Sequence, residues 1–167
     1  DESAANVYET NFGIRPSRDI RECNNLPDFE ILCAGFPCQP FSKSGSQEGF
    51  GDETRGTLFH EIMRIVRESN PCILFLENVP NLERHDEGNT YRVIRGAIEE
   101  AGYRFWSEVL SPHKFGTPQI RKRLFMVGIR EDLCCEKEFS FPKESNERTD
   151  VRDILDSHDM VGDRFDL

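Results

Sequence analysis

The sequence predicts an α/β fold on a mostly parallel sheet. Three observations point there: short apolar runs of buried-strand type, helix-periodic stretches between them, and polar residues gathered directly after two of the runs. Phe29 to Phe36 is the first strand, and the Pro- and Gly-containing stretch Pro37 to Gly56 follows it. Residues 57–69 set Leu58, Phe59, Ile62, Ile65 and Val66 at helical spacing, and Asn70-Pro71 ends that helix. Cys72-Ile73-Leu74-Phe75-Leu76 is the second strand and leads into Glu77-Asn78. Asn89 or Thr90 caps a second helix carrying Tyr91, Ile94, Ala97 and Ile98, which ends near Gly102. Tyr103 to Leu110 and Arg123 to Ile129 are two further strands joined by the loop Ser111 to Gln119, so the order is β-α-β-α-β-β.

A chain of 167 residues, 37% of them hydrophobic, suits one domain, with room for a stub of a second. Its net charge of −10 argues against a nucleic-acid partner until the charge is located. Residues 1–130 hold 16 basic and 19 acidic side chains, whereas residues 131–167 hold 5 and 12. Between Val109 and Arg130 stand Lys114, Arg121, Lys122, Arg123 and Arg130 with no acid, enough for a local positive patch. No apolar run reaches the ~20 residues of a membrane span, and Asp1-Glu2-Ser3-Ala4 lacks the layout of a signal peptide, so an intracellular protein with no membrane partner is expected. The six cysteines form no Cys-x-x-Cys pair and the four histidines no ligand spacing; free thiols and no metal are expected.

Parallel strands with crossover helices end on one edge of the sheet, where ligand sites of such folds lie. Pro37-Cys38-Gln39-Pro40 and Glu77-Asn78-Val79-Pro80 both fall there, so a thiol and a carboxylate can face one pocket. Cys38 reads as a nucleophile or as a structural thiol at a turn, and Glu77 as a working acid or a solvated strand end. Strand period 2 puts Gln119, Arg121 and Arg123 on one face, a guanidinium pair able to hold a carboxylate, a phosphate or a base carbonyl. Gln39 to Gly56, with four glycines and three serines, has the length of a lid that begins at Cys38.

Gly35-Phe36-Pro37-Cys38-Gln39-Pro40-Phe41-Ser42, then Glu77-Asn78-Val79, then Gln119-x-Arg121-x-Arg123 resemble the DNA cytosine-5 methyltransferases of bacterial restriction–modification systems. The resemblance runs from Val7-Tyr8-Glu9-x-Asn11-Phe12-Gly13 through Asp19-Ile20, Arg55-Gly56-Thr57-Leu58-Phe59 and His85-Asp86-x-Gly88-Asn89-Thr90 to about Pro142. It implies a Rossmann-like S-adenosylmethionine-dependent methyltransferase fold and a duplex DNA substrate, with RNA a possible substrate for the same chemistry. Cys38 would add to carbon 6 of a flipped cytosine, Glu77 would act at ring nitrogen 3, and Arg123 with Arg121 would hold the base carbonyl and orient Glu77, with Asn78 in support. Asp19 would bind the cofactor's adenine amino group and Ile20 its ring, while Pro37 and Leu58 would line the same pocket. Phe36, Gln39, Ser42 and Ser44 fall to the substrate- and DNA-facing loop, and the setting implied is the bacterial cytoplasm beside the nucleoid.

The departures are as specific. The family's Phe-x-Gly-x-Gly loop does not occur in the sequence, and the target-recognition part and closing motif expected after about residue 150 are not found. The expectation is therefore an incomplete catalytic domain over residues 1–142, without the first strands, and an acidic tail over 143–167. Alone, such a chain is not expected to methylate DNA. Two other classes stay open: a non-catalytic or complementing subunit working with a second polypeptide, and a thiol hydrolase, which needs a histidine near Cys38.

Overall fold

The structure, a computed structural model, describes residues 1–16, 19–37, 58–133, 138–145 and 149–155. Among these, helix α1 spans Glu2–Phe12, strand β1 Ile31–Gly35, α2 Leu58–Ser69, β2 Ile73–Asn78, α3 Asn89–Glu100, β3 Tyr103–Leu110 and β4 Arg123–Arg130. The strands form one sheet in the order β1-β2-β4-β3. β1 and β2 pair in parallel, while β4 lies antiparallel to both β2 and β3. Three strands thus share one direction and end on one edge; β4 alone runs back.

The alternation of apolar residues on the strands sets what each face carries. Leu74 and Leu76 of β2 and Leu124 and Met126 of β4 point to the face covered by α2 and α3, where they meet Phe59, Ile62, Met63, Val66, Ile94 and Ile98 in one core. Gly128 of β4 is small because a Cβ there would come 3.2 Å from Leu74 and 3.3 Å from Ile98. Tyr103 closes the far end, its hydroxyl donating to the Pro71 carbonyl at 2.6 Å. The opposite face carries Ile31, 54% exposed, and Phe75, 42% exposed, the latter stacked on Phe125 at 5.5 Å. Trp106 of β3 is met on that side by Phe139 from the segment after β4.

Helix α1 is not among the elements that periodicity predicts. Its ends are made by caps: the Asp1 carboxylate accepts from the backbone N–H groups of Ser3 and Ala4, and Gly13 closes it at φ +68°. It buries none of its residues, which is why no core-facing stripe announces it. The start of α3 also differs from expectation. The capping position is Gly88, with no side-chain cap, and the buried Thr90 hydroxyl is engaged instead by His85 Nδ1 at 2.6 Å. The start of β4 is a third difference: the ladder begins at Arg123, so strand period 2 does not govern Gln119 and Arg121, which lie in the irregular segment before it. Described residues of the segment expected as an acidic tail bond to the sheet's connecting loop, through Glu144 to Lys114 at 2.7 Å, Ser145 N–H to the Lys114 carbonyl, and Thr149 to the Gly116 carbonyl.

Candidate active site at the carboxyl ends of the strands

Ladder register assembles the first half of the site. Gly35, the last residue of β1, is the register partner of Glu77, and Glu77 is in turn the partner of Phe125. Arg123 stands two residues before Phe125, so it shares that face and lies diagonal to Glu77, within reach of a long side chain. The contact is made: Arg123 Nε meets Glu77 Oε1 at 2.6 Å, with both side chains partly shielded. The other carboxylate oxygen lies over Gly35, where a Cβ would approach it to 3.2 Å. The absence of a side chain at Gly35 therefore lets the carboxylate reach across the end of β1, three residues before Cys38.

Asn78 points the opposite way and is 3% exposed. Its Nδ2 donates to the Phe36 carbonyl at 2.7 Å, and its Oδ1 accepts the Val79 N–H at 2.8 Å. One buried amide thereby ties the outgoing backbone of β1 to that of β2 and fixes the direction in which the chain leaves toward Cys38. Phe36, expected in the substrate-facing loop, is a core residue instead, its ring 5.4 Å from that of Phe59. Pro37 is exposed at the strand end. Cys38, Gln39, Ser42 and Ser44 lie outside the described residues, as does all of the expected lid from Gln39 to Gly56.

A pocket of about 350 Å³ opens beside the pair, lined by Glu77, Ser111, Phe115, Arg121, Arg123 and Phe125 among others. That volume falls in the range of small-molecule sites. Arg121 reaches the pocket despite lying before β4, because its backbone N–H donates to the buried Ser111 hydroxyl at 3.1 Å. His113 Nδ1 meets the same hydroxyl at 2.8 Å, and His113 N–H bonds the Gln119 carbonyl, which closes the loop on itself. Gln119 itself joins through backbone bonds. Sequence reasoning missed Ser111 and Phe125; period 2 counted from Arg123 could have found the second, while nothing in the sequence singles out the first. No histidine is among the described residues lining the pocket.

The second half of the site is local. Asp19 caps the short 3₁₀ turn Ile20–Glu22 and accepts the Arg21 N–H at 2.9 Å. Its carboxylate is also gripped by the Arg21 guanidinium, at 2.6 Å from Nη2 and 3.0 Å from Nε. Those bonds hold the Asp19 pKa down to about 2. Ile20 packs against the core, and Leu58, partly buried, opens α2. A partly exposed carboxylate beside an apolar residue on a fixed turn fits the amino group and ring of an adenine.

Among the described residues, no group of three or more His, Cys, Asp or Glu side chains is placed to hold a metal ion, and no helix is long and apolar enough to cross a membrane.

Comparison with known proteins adds to this geometry. The family model described as C-5 cytosine-specific DNA methylase matches residues 1–166. The type II methyltransferase M.HhaI of Haemophilus parahaemolyticus is 47% identical over 173 residues, covering 100% of this chain and 52% of the relative. M.MspI of a Moraxella species is 46% identical, covering 97% of this chain and 38% of the relative. Among solved structures, a Spodoptera frugiperda DNMT2 mutant superposes with a TM-score of 0.70 at 20% identity, over 94% of this chain and 50% of that one. The chain thus spans about half the length of M.HhaI, and the DNMT2 likeness supports the methyltransferase fold.

Proposed function

We propose that this chain, which belongs to the C-5 cytosine-specific DNA methylase family, carries the catalytic centre for methyl transfer to carbon 5 of cytosine in duplex DNA. The observation that carries the reading is the Glu77–Arg123 pair, held by strand register over Gly35 at the edge from which the chain runs to Cys38. Carbon 5 of cytosine is a weak nucleophile. Addition of the Cys38 thiolate to carbon 6 forms a sulfur–carbon bond and moves the ring's π electrons toward nitrogen 3, where Glu77 supplies or shares a proton. Carbon 5 then has enamine character, and loss of its proton with expulsion of Cys38 restores the aromatic ring after transfer.

Arg123 has two tasks in this scheme: it holds Glu77 in place and offers its remaining N–H groups to the base carbonyl. Arg121 is aimed at the same pocket by Ser111. A base inside a duplex cannot reach Cys38, so the target cytosine is flipped out at a cost of a few kcal/mol. S-adenosylmethionine supplies the methyl group from its sulfonium when bound, and Asp19, Ile20, Pro37 and Leu58 are the residues of this chain that would hold it. Arg121 at the pocket and Lys122 beside it in sequence supply positive charge suited to DNA phosphates, while Lys114 is paired with Glu144.

The test is trapping on DNA containing 5-fluorocytosine by the complete enzyme. The native protein forms a covalent adduct that survives denaturation, and Cys38→Ser forms none. An adduct that persists in the variant removes Cys38 from its role. The isolated 167-residue chain, whose sequence holds no Phe-x-Gly-x-Gly loop, is expected to transfer no tritiated methyl groups in the same assay.

A further inference from the structure

Arg64 of α2 is the point where helix and adenine-side turn are joined. Its Nη2 donates to two backbone carbonyls, those of Ile20 and Cys23, each at 3.1 Å and more than forty residues away in sequence. Its Nε donates to Glu61 at 2.8 Å and its Nη1 to Glu68 at 2.9 Å, one turn to either side on the same helix face. Every nitrogen of the guanidinium is thereby committed, and the two glutamates aim the fork at the turn. Within the turn, the Ile20 carbonyl also accepts the Cys23 N–H and the Asp19 carbonyl accepts the Glu22 N–H. Arg64 thus completes the bonding of a segment with no strand ladder to support it.

We infer that Arg64 is a positioning residue for cofactor binding: by clamping the Ile20 and Cys23 carbonyls to α2, it fixes the Asp19 carboxylate and the Ile20 side chain in the relation an adenine requires. The inference rests on the reading of Asp19 and Ile20 as the adenine site. Lysine does not reproduce the clamp, because one ammonium group cannot serve two carbonyls and two flanking carboxylates in the planar geometry of a guanidinium.

The experiment compares Asp19→Ala, Arg64→Ala and Arg64→Lys in the complete enzyme. The readouts are cofactor affinity by calorimetry, KM for cofactor and for DNA, kcat, and amide hydrogen exchange of residues 19–23 without cofactor. Arg64→Ala is expected to weaken cofactor binding about tenfold or more, because it removes both charge-assisted hydrogen bonds that hold the turn to α2. KM for cofactor rises with it, while kcat at saturating cofactor and KM for DNA hold, and exchange in residues 19–23 quickens. Arg64→Lys lies between the two and carries the test if the alanine variant does not fold. Unchanged cofactor affinity in folded Arg64 variants, with Asp19→Ala impaired, overturns the positioning role alone. Unchanged affinity in Asp19→Ala overturns the adenine-site reading and this inference together.

Discussion

Two acid–arginine pairs serve the two halves of the candidate site, and they are built in opposite ways. Glu77 and Arg123 stand 46 positions apart in the sequence and meet because β2 and β4 pair in one register. Asp19 and Arg21 are two residues apart and meet within a single turn. The first pair is as rigid as the sheet beneath it, where Leu76, Leu124 and Met126 are fully buried. The second sits on an irregular segment and depends on a clamp from outside. A group that must keep its direction while a base is protonated belongs on a ladder, where a one-residue slip would carry it to the other face. A group that recognises a cofactor by a few hydrogen bonds can sit on a turn, provided something fixes the turn.

The largest expected effect tests whether the two pairs act on different steps. Arg123→Ala removes the partner of Glu77 and, in the proposed scheme, a donor to the base, and should lower kcat by on the order of 10²–10³-fold in the complete enzyme. Cofactor affinity, measured by calorimetry, should stay within about twofold, because the variant leaves the Ile20–Glu22 turn and α2 untouched. A variant that keeps its rate and loses cofactor affinity would reverse the assignment of the two ends.

The ladder half is legible in the residues themselves, whereas in the turn half the family resemblance names Asp19 and Ile20 and nothing in the sequence marks the clamp that holds them. The apolar run Ile73 to Leu76 ends in Glu77, and that abrupt change of polarity at a strand end is enough to single the residue out. Arg123 opens the strand that pairs with it. Period 2, however, does not extend back beyond Arg123: Arg121 is brought in by the Ser111 hydroxyl rather than by pleat alternation, and a serine after a strand carries no signal of that task. Arg64 reads as a solvated helix residue between two glutamates, since its decisive bonds go to backbone carbonyls, which have no sequence signature. Phe36 sits near Cys38 in sequence yet packs inward on Phe59, just past the end of β1, its carbonyl held by the buried Asn78 amide. Helix α1 escapes a periodicity reading for a related reason, its caps being local signals and its apolar residues exposed.

A smaller effect separates the halves by stability. In Gly128→Ala the new methyl meets Leu74 and Ile98 at 3.2–3.3 Å in the middle of the sheet. Overpacking of this kind should cost about 1–3 kcal/mol, read as a lower denaturant midpoint at constant slope. Because the new methyl meets side chains of β2 and α3 and not Arg64 or the Ile20–Glu22 turn, hydrogen exchange in residues 19–23 should rise no more than the global loss of stability requires. Selective loosening of residues 19–23 would show that the turn leans on the sheet more than on its clamp.

The smallest effect concerns the charge on Asp19. Its pKa, held at about 2 chiefly by the Arg21 side chain, lies below the ordinary carboxylate value of 3.8. A carboxyl group with a depressed folded-state pKa contributes its interaction above the ordinary value and loses it as pH falls from there toward 2. Between pH 4 and 8 the group therefore stays ionised, and cofactor affinity should carry no ionisation from Asp19 across that window. Arg21→Ala removes the largest cause and leaves the backbone N–H bond, so the Asp19 pKa should rise toward the usual carboxylate range when followed by carbon NMR of its carboxyl group. A variant in which Asp19 still titrates near pH 2 would mean that the backbone N–H groups of the turn, and not Arg21, hold the charge. In the proposed adenine site, Arg21 is also the neighbour with which the cofactor's amino group would share Asp19, since both are donors to one carboxylate. Removing it should therefore tighten cofactor binding if the two donors compete, and weaken it if Arg21 is what keeps the carboxylate aimed.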